Sequence, residues 1–494
     1  MKGLSASIRS LPILPLALAI GLLLPSLQAG PGRASEIQLP DMGDSSSGLL
    51  SVQEEERIGE LFMGQVRSTA QVIEHPEVSA YMQDLGHRLA ARSNDRTRRF
   101  DFFMISAQPI NAFAGPGGKI GINSGLMLTT ETESELASVL AHEIAHVTQR
   151  HLPRAFEQAD RMGMPTLAAM LGALILGAYN PEAGAAALSA VQAGAIQSQI
   201  NFTRANEKEA DRVGMQILHD SDFDPAAMPT FFERLHTATR YTTNDSIPEF
   251  LRTHPVTLNR ITDSRNRAAR YPARQVPQSA AFHRVRARLV NLTTARPQQA
   301  LDHFEARLSS GDHADRDAER YGHAIALARV GRLDEARSAI ANLRKANPQV
   351  QEYLLLQAEI ELVGRDFPRA LQILQEGMDL FPRSPLLTPV YGETLLLNGR
   401  ARPATQVLHD YVQRHSAGPR LYEVLARAAG AAGETGLSYR MLAEHHALYG
   451  RIETAMAQLR RAMDLPNIGF IEVSRAEARL EQLERVRELQ EKYF

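Results

Sequence analysis

Two histidines and a glutamate with the types and spacing for metal-assisted hydrolysis lie in His142-Glu143-Ile144-Ala145-His146. Histidines four residues apart leave one face of a helix, one turn apart, so both imidazoles can bind a single metal ion. Glu143 lies beside them and can reach a metal-bound water instead of the metal itself. The arrangement predicts His142 and His146 as zinc ligands and Glu143 as a general base.

A second motif supplies a further ligand, in Glu207-Lys208-Glu209-Ala210-Asp211. A catalytic zinc keeps three protein ligands and leaves the fourth position for water, so Glu207 is predicted as the third ligand, on a second helix. Asp211 lies one turn later on the same side. It could accept a hydrogen bond from a ligating histidine or act on a proton during turnover, while an ordinary helix acid is the equally open alternative.

The elements before the first motif must position it. Thr132–Glu135 has the form of a capping box, which predicts a helix start near Glu133. Phe100–Ile105 and Lys119–Ile122 have strand character, and the Gly/Pro-rich segment Asn111–Gly118 lies in their connection. Such an edge hairpin could pair with an extended substrate, or it could only support the helix; both interpretations are open.

Together the two motifs resemble those of the HtpX and CAAX-prenyl-peptidase family of zinc metallopeptidases. The resemblance implies one zinc ion per chain, bound by the two histidines and the downstream glutamate. It also implies a base within the first motif, a proton-donating aspartate, and an edge hairpin at Asn111–Gly118. On this sequence the roles fall on His142, His146 and Glu207 as metal ligands, with Glu143 and Asp211 as catalytic residues.

A short histidine segment follows, Thr253-His254-Pro255, with Arg260 six residues after the histidine. His254 could reach the metal as a regulatory fourth ligand, which would displace the catalytic water and hold the enzyme inactive. The alternative is a loop histidine before a helix that has Pro255 in its first turn. Arg260 is expected to be a helix-surface charge rather than a group that stabilises an oxyanion.

The start of the chain predicts secretion. Lys2 and Arg9 precede an apolar run, Leu11–Leu24, and small residues follow at Ala29 and Ala34, which is the order of a signal peptide. Cleavage is predicted after residue 34, with an uncleaved anchor as the alternative. The chain has no cysteine, which suits an oxidising compartment, and we expect the periplasm.

Residues 162–197, between the two motifs, are expected to form a helical hairpin broken at Tyr179-Asn180-Pro181. Its arms of about 15 residues are too short to cross a bilayer. Core packing beneath the catalytic domain, a mobile lid over the cleft and a peripheral contact with the membrane surface are all open interpretations.

The C-terminal part repeats. Glycines recur at intervals of 33, 35 and 34 residues, at Gly331, Gly364, Gly399 and Gly433. Alanines recur at intervals of 34, at Ala336, Ala370 and Ala404. This period predicts tetratricopeptide helix pairs, whose concave surface usually binds other proteins. The interval shortens to 17 residues at Gly450, which one extra or shared helix would explain.

The expected fold is mainly α. A signal peptide at 1–34 precedes an α+β zinc metallopeptidase domain with a small β-hairpin or sheet at 50–271, and an α-solenoid of tetratricopeptide repeats follows at 280–494. A formal net charge of −2 argues against nucleic acid as a partner.

This layout resembles a family of periplasmic proteases that take part in outer-membrane protein assembly in Gram-negative bacteria. The resemblance implies misfolded or stalled outer-membrane β-barrel proteins as substrates, chaperone-like assistance, and contact of the repeats with the barrel-assembly machinery. The alternative is a repeat scaffold or chaperone whose zinc site is latched or structural. Glu143 argues against a purely structural site, which would be closed by four ligands and would have no use for a base.

Overall fold

Helices predominate, and one small sheet lies among the first of them. The computed structural model describes residues 51–493 apart from 96, 162–171, 173–195, 240–248, 312 and 467. The predicted signal peptide lies outside the described residues. So does the predicted hairpin at 162–197, except for residues 172, 196 and 197. Within the described ranges, no helix is long and apolar enough to cross a membrane.

The N-terminal part alternates helices with three short strands. In chain order its elements are α1 (Val52–Thr69), α2 (Pro76–Ala90), β1 (Asp101–Ile105), β2 (Ala112–Ala114), β3 (Lys119–Asn123), α3 (Ser124–Thr129), α4 (Glu133–Thr148), α5 (His151–Arg161), α6 (Ile196–Asp220), α7 (Ala227–Thr239), α8 (Glu249–Thr253) and α9 (Leu258–Ala268).

The sheet has the strand order β1-β3-β2. Strands β1 and β3 are parallel, so the prediction that they belong to one hairpin is wrong. The hairpin is instead formed by β2 and β3, with Phe113 opposite Gly121 and a turn at Pro116–Gly118. This turn needs glycine because Gly117 and Gly118 have φ values of 66° and 72°. Strand β2, which the sequence pattern missed, is therefore an edge strand within the predicted segment.

Helix α4 lies at the centre of the N-terminal core and is buried along nearly its whole length. It begins as predicted, and the Thr132 side chain accepts a hydrogen bond from the backbone N–H of Glu135. The reciprocal half of the capping box is absent, because the Glu135 carboxylate accepts from the backbone N–H of Glu131 instead. Because the surrounding core packs against α4 on nearly every side, it holds the first motif rigidly.

Helix pairs joined by short turns make up the C-terminal part, as the repeat period predicts. The helices are α10 (Ala280–Thr293), α11 (Pro297–Ser310), α12 (Arg316–Arg329), α13 (Leu333–Ala346), α14 (Gln351–Val363), α15 (Phe367–Leu380), α16 (Thr388–Leu397), α17 (Ala401–Val412), α18 (Pro419–Ala431), α19 (Thr435–Leu448), α20 (Ile452–Met463) and α21 (Phe470–Tyr493).

The repeat glycines and alanines lie where the period predicts. The alanines are fully buried, which lets the helices of a pair approach closely: Ala336, Ala370 and Ala404. Gly331, Gly399 and Gly433 have positive φ in turns, whereas Arg365 takes the left-handed position beside Gly364. Helix α19 packs against both α18 and α20, so a shared helix explains the short interval to Gly450.

The repeats contact the N-terminal part at two places. At the first, the α10 residues Phe282, Val285 and Leu289 belong to the same core as α4. At the second, α1 packs against α19 and α21, and a Cβ on Gly64 would lie 2.7 Å from the backbone nitrogen of Gly450. The array of repeats therefore begins and ends against the N-terminal helices.

Candidate metal centre

Helices α4 and α6 bring the two predicted motifs together. They can approach closely because α6 carries Gly214 opposite His142, where a Cβ would lie 3.0 Å from the His142 backbone nitrogen. Buried apolar residues on α6 complete the contact: Ala210, Val213 and Ile217. These residues lie on the face of α6 that meets α4.

Four side chains converge at this contact. Suitable donor atoms of His142, His146, Glu207 and His254 all lie within 4.8 Å of one another. Nε2 of His146 lies 3.0 Å from Nε2 of His142 and 3.4 Å from Oε1 of Glu207. The structure therefore brings the three predicted ligands into one cluster, and it brings His254 there as well.

His254 contacts both the predicted ligands and the predicted base. Its Nδ1 lies 3.0 Å from Oε1 of Glu207 and 3.4 Å from Nε2 of His142. Its Nε2 lies 3.5 Å from Oε1 of Glu143. The residue follows α8 directly and is buried, so the imidazole is held between the ligand cluster and the glutamate.

Glu143 is fully buried beside the cluster, and neither oxygen of its carboxylate accepts a hydrogen bond from a described residue. Burial raises the pKa of this carboxyl group. A buried carboxylate without hydrogen bonds is costly and calls for a functional explanation. A base that receives a proton from water in this position would supply one.

Asp211 lies behind His142 rather than at the ligand cluster. Its Oδ1 is 3.2 Å from Nδ1 of His142, which is the nitrogen that points away from the other ligands. Arg260 binds the same carboxylate in a bidentate manner, through hydrogen bonds of 2.8 and 2.7 Å. This geometry favours orientation of His142 by Asp211 over a direct action of Asp211 on a reacting proton.

Arg260 is buried, so the expectation of a helix-surface charge is wrong. Besides Asp211 it contacts Glu207, with Nη1 2.8 Å from Oε2, and it donates a 3.0 Å hydrogen bond to the carbonyl of Pro255. The guanidinium thus ties α6 to the segment that carries His254. The pattern of α9 does not reveal this role, because tertiary contacts bury the side chain, with the carboxylates of α6 and with the Phe232 ring of α7.

The electrostatics of the two α4 histidines differ sharply. Burial lowers the pKa of His146 to about 3. At His142 burial acts in the same direction, but hydrogen bonds with Asp211 and Glu207 outweigh it and raise the pKa to about 10. The two carboxylates therefore favour a positive charge at this position, whether a proton or a metal cation.

These residues fit a bound divalent metal ion. Imidazole nitrogens with one carboxylate oxygen are a ligand set that zinc prefers, and the chain contains no cysteine that could compete. The buried Glu143 carboxylate lies next to this set, which fits a catalytic site better than a structural one.

One contact of the cluster was missed by the sequence patterns. Nδ1 of His151 lies 2.9 Å from Nδ1 of His146, on the side away from the ligands. His151 comes five residues after His146 and beyond the end of α4, so helical periodicity does not pair the two residues. The sequence signal for this contact is a further histidine shortly after the first motif. That histidine can be paired with His146 only when the turn between α4 and α5 is known.

Comparison with known proteins decides the family. Residues 76–268 match peptidase family M48. The chain is 36% identical over 455 residues to the β-barrel assembly-enhancing protease of Escherichia coli K12, and the match covers 92% of each protein. The chain belongs to that family of proteases. An M48 metallopeptidase is therefore the enzyme class of this chain, in agreement with the cluster on α4 and α6.

Other similarities are consistent with membership of the family. The β-barrel assembly-enhancing protease of Yersinia pestis is 35% identical over 455 residues, which cover 92% of this chain and 93% of that protein. A solved tetratricopeptide repeat protein from Parabacteroides merdae is 12% identical to this chain, with a TM-score of 0.30. The match covers 58% of this chain and 97% of the solved chain. That last likeness is too low to support a conclusion, and the helix pairs themselves establish the repeat architecture.

Proposed function

We propose that this metallopeptidase is a zinc-dependent endopeptidase of the periplasm. Its substrates would be misfolded or stalled outer-membrane β-barrel proteins, and its repeats would give chaperone-like assistance to barrel assembly. The names of the relatives and the match over nearly the whole chain support the link to barrel assembly. The apolar run behind Lys2 and Arg9 supports export.

The observation that carries the enzymatic part is the buried Glu143 carboxylate, which lies beside the four side chains that could hold a metal and accepts no hydrogen bond from the residues that the structure describes. A zinc ion held by His142, His146 and Glu207 would polarise a peptide carbonyl and lower the pKa of water. Glu143 would take the proton of the attacking water and pass it to the leaving amine. Asp211 and Arg260 would keep His142 and Glu207 in place.

A latched state is the second candidate, and the position of His254 favours it. With Nδ1 near Glu207 and Nε2 near Glu143, His254 would act as a fourth ligand and also contact the base. Both contacts oppose hydrolysis, because a catalytic zinc keeps one position for water. In this state the protein would serve mainly as a repeat scaffold or chaperone until a substrate or partner displaces His254.

The repeats would contact the barrel-assembly machinery or the substrate. Tetratricopeptide arrays commonly bind proteins through their concave surface, and this array is attached to the catalytic part at both its ends. A substrate bound by the repeats would then lie close to the metal centre. The three interpretations of the segment 162–197, as core packing, lid or membrane contact, stay predictions and carry no step of this proposal.

A cleavage assay tests the substrate class. Purified protein loaded with Zn²⁺ is incubated with an unfolded outer-membrane β-barrel protein, the same barrel folded in detergent, and an unfolded soluble protein of similar length. We expect cleavage of the unfolded barrel in preference to both others. Equal cleavage of the unfolded barrel and the unfolded soluble protein would contradict the proposed substrate class, although the peptidase activity would stand.

A further inference from the structure

A second pair of histidines lies behind the metal centre. His146 turns its Nε2 toward His142 and Glu207, so this is the nitrogen that would bind the metal. Its other nitrogen, Nδ1, lies 2.9 Å from Nδ1 of His151. His151 is 4% exposed, so water does not replace this contact.

The protons of this pair follow from the role of His146. A metal-binding nitrogen carries no proton, so neutral His146 carries its proton on Nδ1 and donates it to a neighbour. Nδ1 of His151 must accept that hydrogen bond, and the proton of neutral His151 then lies on Nε2. This Nε2 is 3.1 Å from Oε2 of Glu209, to which it donates. The three side chains therefore form a directed chain from the ligand to a carboxylate.

Glu209 is itself held in place. Arg154 of α5 donates to the same oxygen of Glu209 over 3.3 Å, and to the amide oxygen of Asn206 over 3.2 Å. Glu209 and Asn206 lie three residues apart and so share the face of α6 that meets α5. The chain of hydrogen bonds thus begins at α4, passes through α5 and ends on α6, the helix that carries the ligand Glu207.

The backbone at the start of α5 is strained in a way that places His151. Helix α4 ends at Thr148, and Arg150 has a φ of 54° before α5 begins at His151. An arginine rarely adopts this left-handed conformation, and such residues persist where the surrounding structure requires them, often at functional sites. Here the turn brings His151 back to the histidine five residues before it.

We infer that His151 is a positioning residue that fixes the ring orientation of the metal ligand His146, and that Glu209 fixes His151 in turn. The inference rests on the proposed zinc centre. Partners that hydrogen-bond the second nitrogen of a ligating histidine commonly contribute about 10- to 100-fold to metal affinity. Loss of the chain should therefore weaken Zn²⁺ binding without removing a ligand.

The experiment measures the dissociation constant of Zn²⁺ alone, by competition with a chromophoric chelator, on the whole chain. His151→Ala should weaken binding by about 10- to 100-fold. His151→Asn should recover much of the loss, because the asparagine oxygen stands near the position of Nδ1 and can accept from His146. Glu209→Gln should give a smaller loss than His151→Ala.

Lys208→Gln is the matched control, because Lys208 lies between Glu207 and Glu209 on the same helix but is 58% exposed. It should bind Zn²⁺ as the wild type does. Equal affinity for His151→Ala and Lys208→Gln would overturn the inference about His151 but leave the proposed zinc centre intact. If His151→Ala does not fold, wild-type affinity in Glu209→Ala, which removes the acceptor that glutamine would keep, would overturn the same inference. A wild-type protein that binds no Zn²⁺ would overturn the proposed zinc centre as well.

Discussion

Nδ1 of His254 lies 3.0 Å from Oε1 of Glu207, and this contact brings a fourth nitrogen or oxygen donor into the predicted zinc centre. Three protein ligands leave a position for water, whereas four close the site. If His254 binds the metal as proposed, cleavage of peptides would depend on where the His254 segment lies.

His254→Ala should raise proteolytic activity several-fold at unchanged zinc content. The substitution removes the contact with Glu207 and also frees Glu143, whose Oε1 lies 3.5 Å from Nε2 of His254. The measurement is casein cleavage and self-cleavage beside metal analysis. The double variant His254→Ala with Glu143→Gln should lose the gain, which assigns the activity to this site. Unchanged cleavage in His254→Ala would contradict the latch.

Arg260→Gln should destabilise the metal-free protein by about 3–5 kcal/mol. The change leaves the buried carboxylates of Asp211 and Glu207 without their shared guanidinium, and an unpaired buried charge is costly. Chemical denaturation measures the loss. Lys208→Gln is the control, since the exposed pair of Lys208 and Asp263 at 3.7 Å should contribute less than about 1 kcal/mol. Similar losses in both variants would contradict a central role for Arg260.

Gly64→Ala should destabilise the protein by about 1–3 kcal/mol, because the added methyl group would meet the backbone of Gly450 at 2.7 Å. The strain falls where the last repeats pack against α1. Gly430→Ala is the control on a repeat helix, since the nearest atom there is the Ser438 hydroxyl at 3.4 Å. Thermal unfolding should show a lower midpoint for Gly64→Ala only. Equal midpoints would contradict tight packing of α1 against the last repeats.

Glu359 should make the stability of the contact between the first repeats and the N-terminal part sensitive to acid. Its carboxylate lies 2.8 Å from Nη1 of Arg288 and 2.9 Å from Nε2 of His75. Burial acts to raise its pKa, but the charge of Arg288 and the hydrogen bonds from both partners outweigh burial and lower the pKa from 4.5 to about 2. Because the folded pKa is depressed, the contribution of about 3 kcal/mol is complete above pH 4.5 and is lost as the pH falls toward 2.

The free energies of unfolding of wild type and Glu359→Gln, measured from neutral pH down to pH 3, check this prediction. Acid-sensitive groups that do not interact with Glu359, including the metal ligands, cancel in the difference between the two proteins. The difference should be largest at neutral pH and should shrink as the pH falls below 4.5. A difference that is constant over this range would contradict the role given to Glu359.

Local patterns predicted much of the site. The helical spacing of His142 and His146 and the turn between Glu207 and Asp211 are properties of single helices, so the sequence could predict which faces carry them. The period of the repeats is likewise local. Each pattern concerns residues within one helix or one helix pair.

Contacts between distant elements were harder to predict. Strands β1 and β3 pair in parallel although β2 lies between them in the chain, and the tertiary fold rather than local sequence determines which strands pair. Arg260 resembles a surface residue until α6 covers it, and His151 reaches His146 only through the left-handed turn at Arg150. These positions depend on packing between elements, which periodicity does not encode.

The most direct test of the central claim compares zinc content and peptide cleavage in wild type and Glu143→Gln, with His254→Ala included to remove the latch. We predict one zinc ion per chain in all three proteins, cleavage by wild type that increases in His254→Ala, and no cleavage by Glu143→Gln. Undiminished cleavage by Glu143→Gln would contradict the role of Glu143 as the base. Zinc in every protein without cleavage in any would contradict the peptidase account and favour a scaffold with a structural metal.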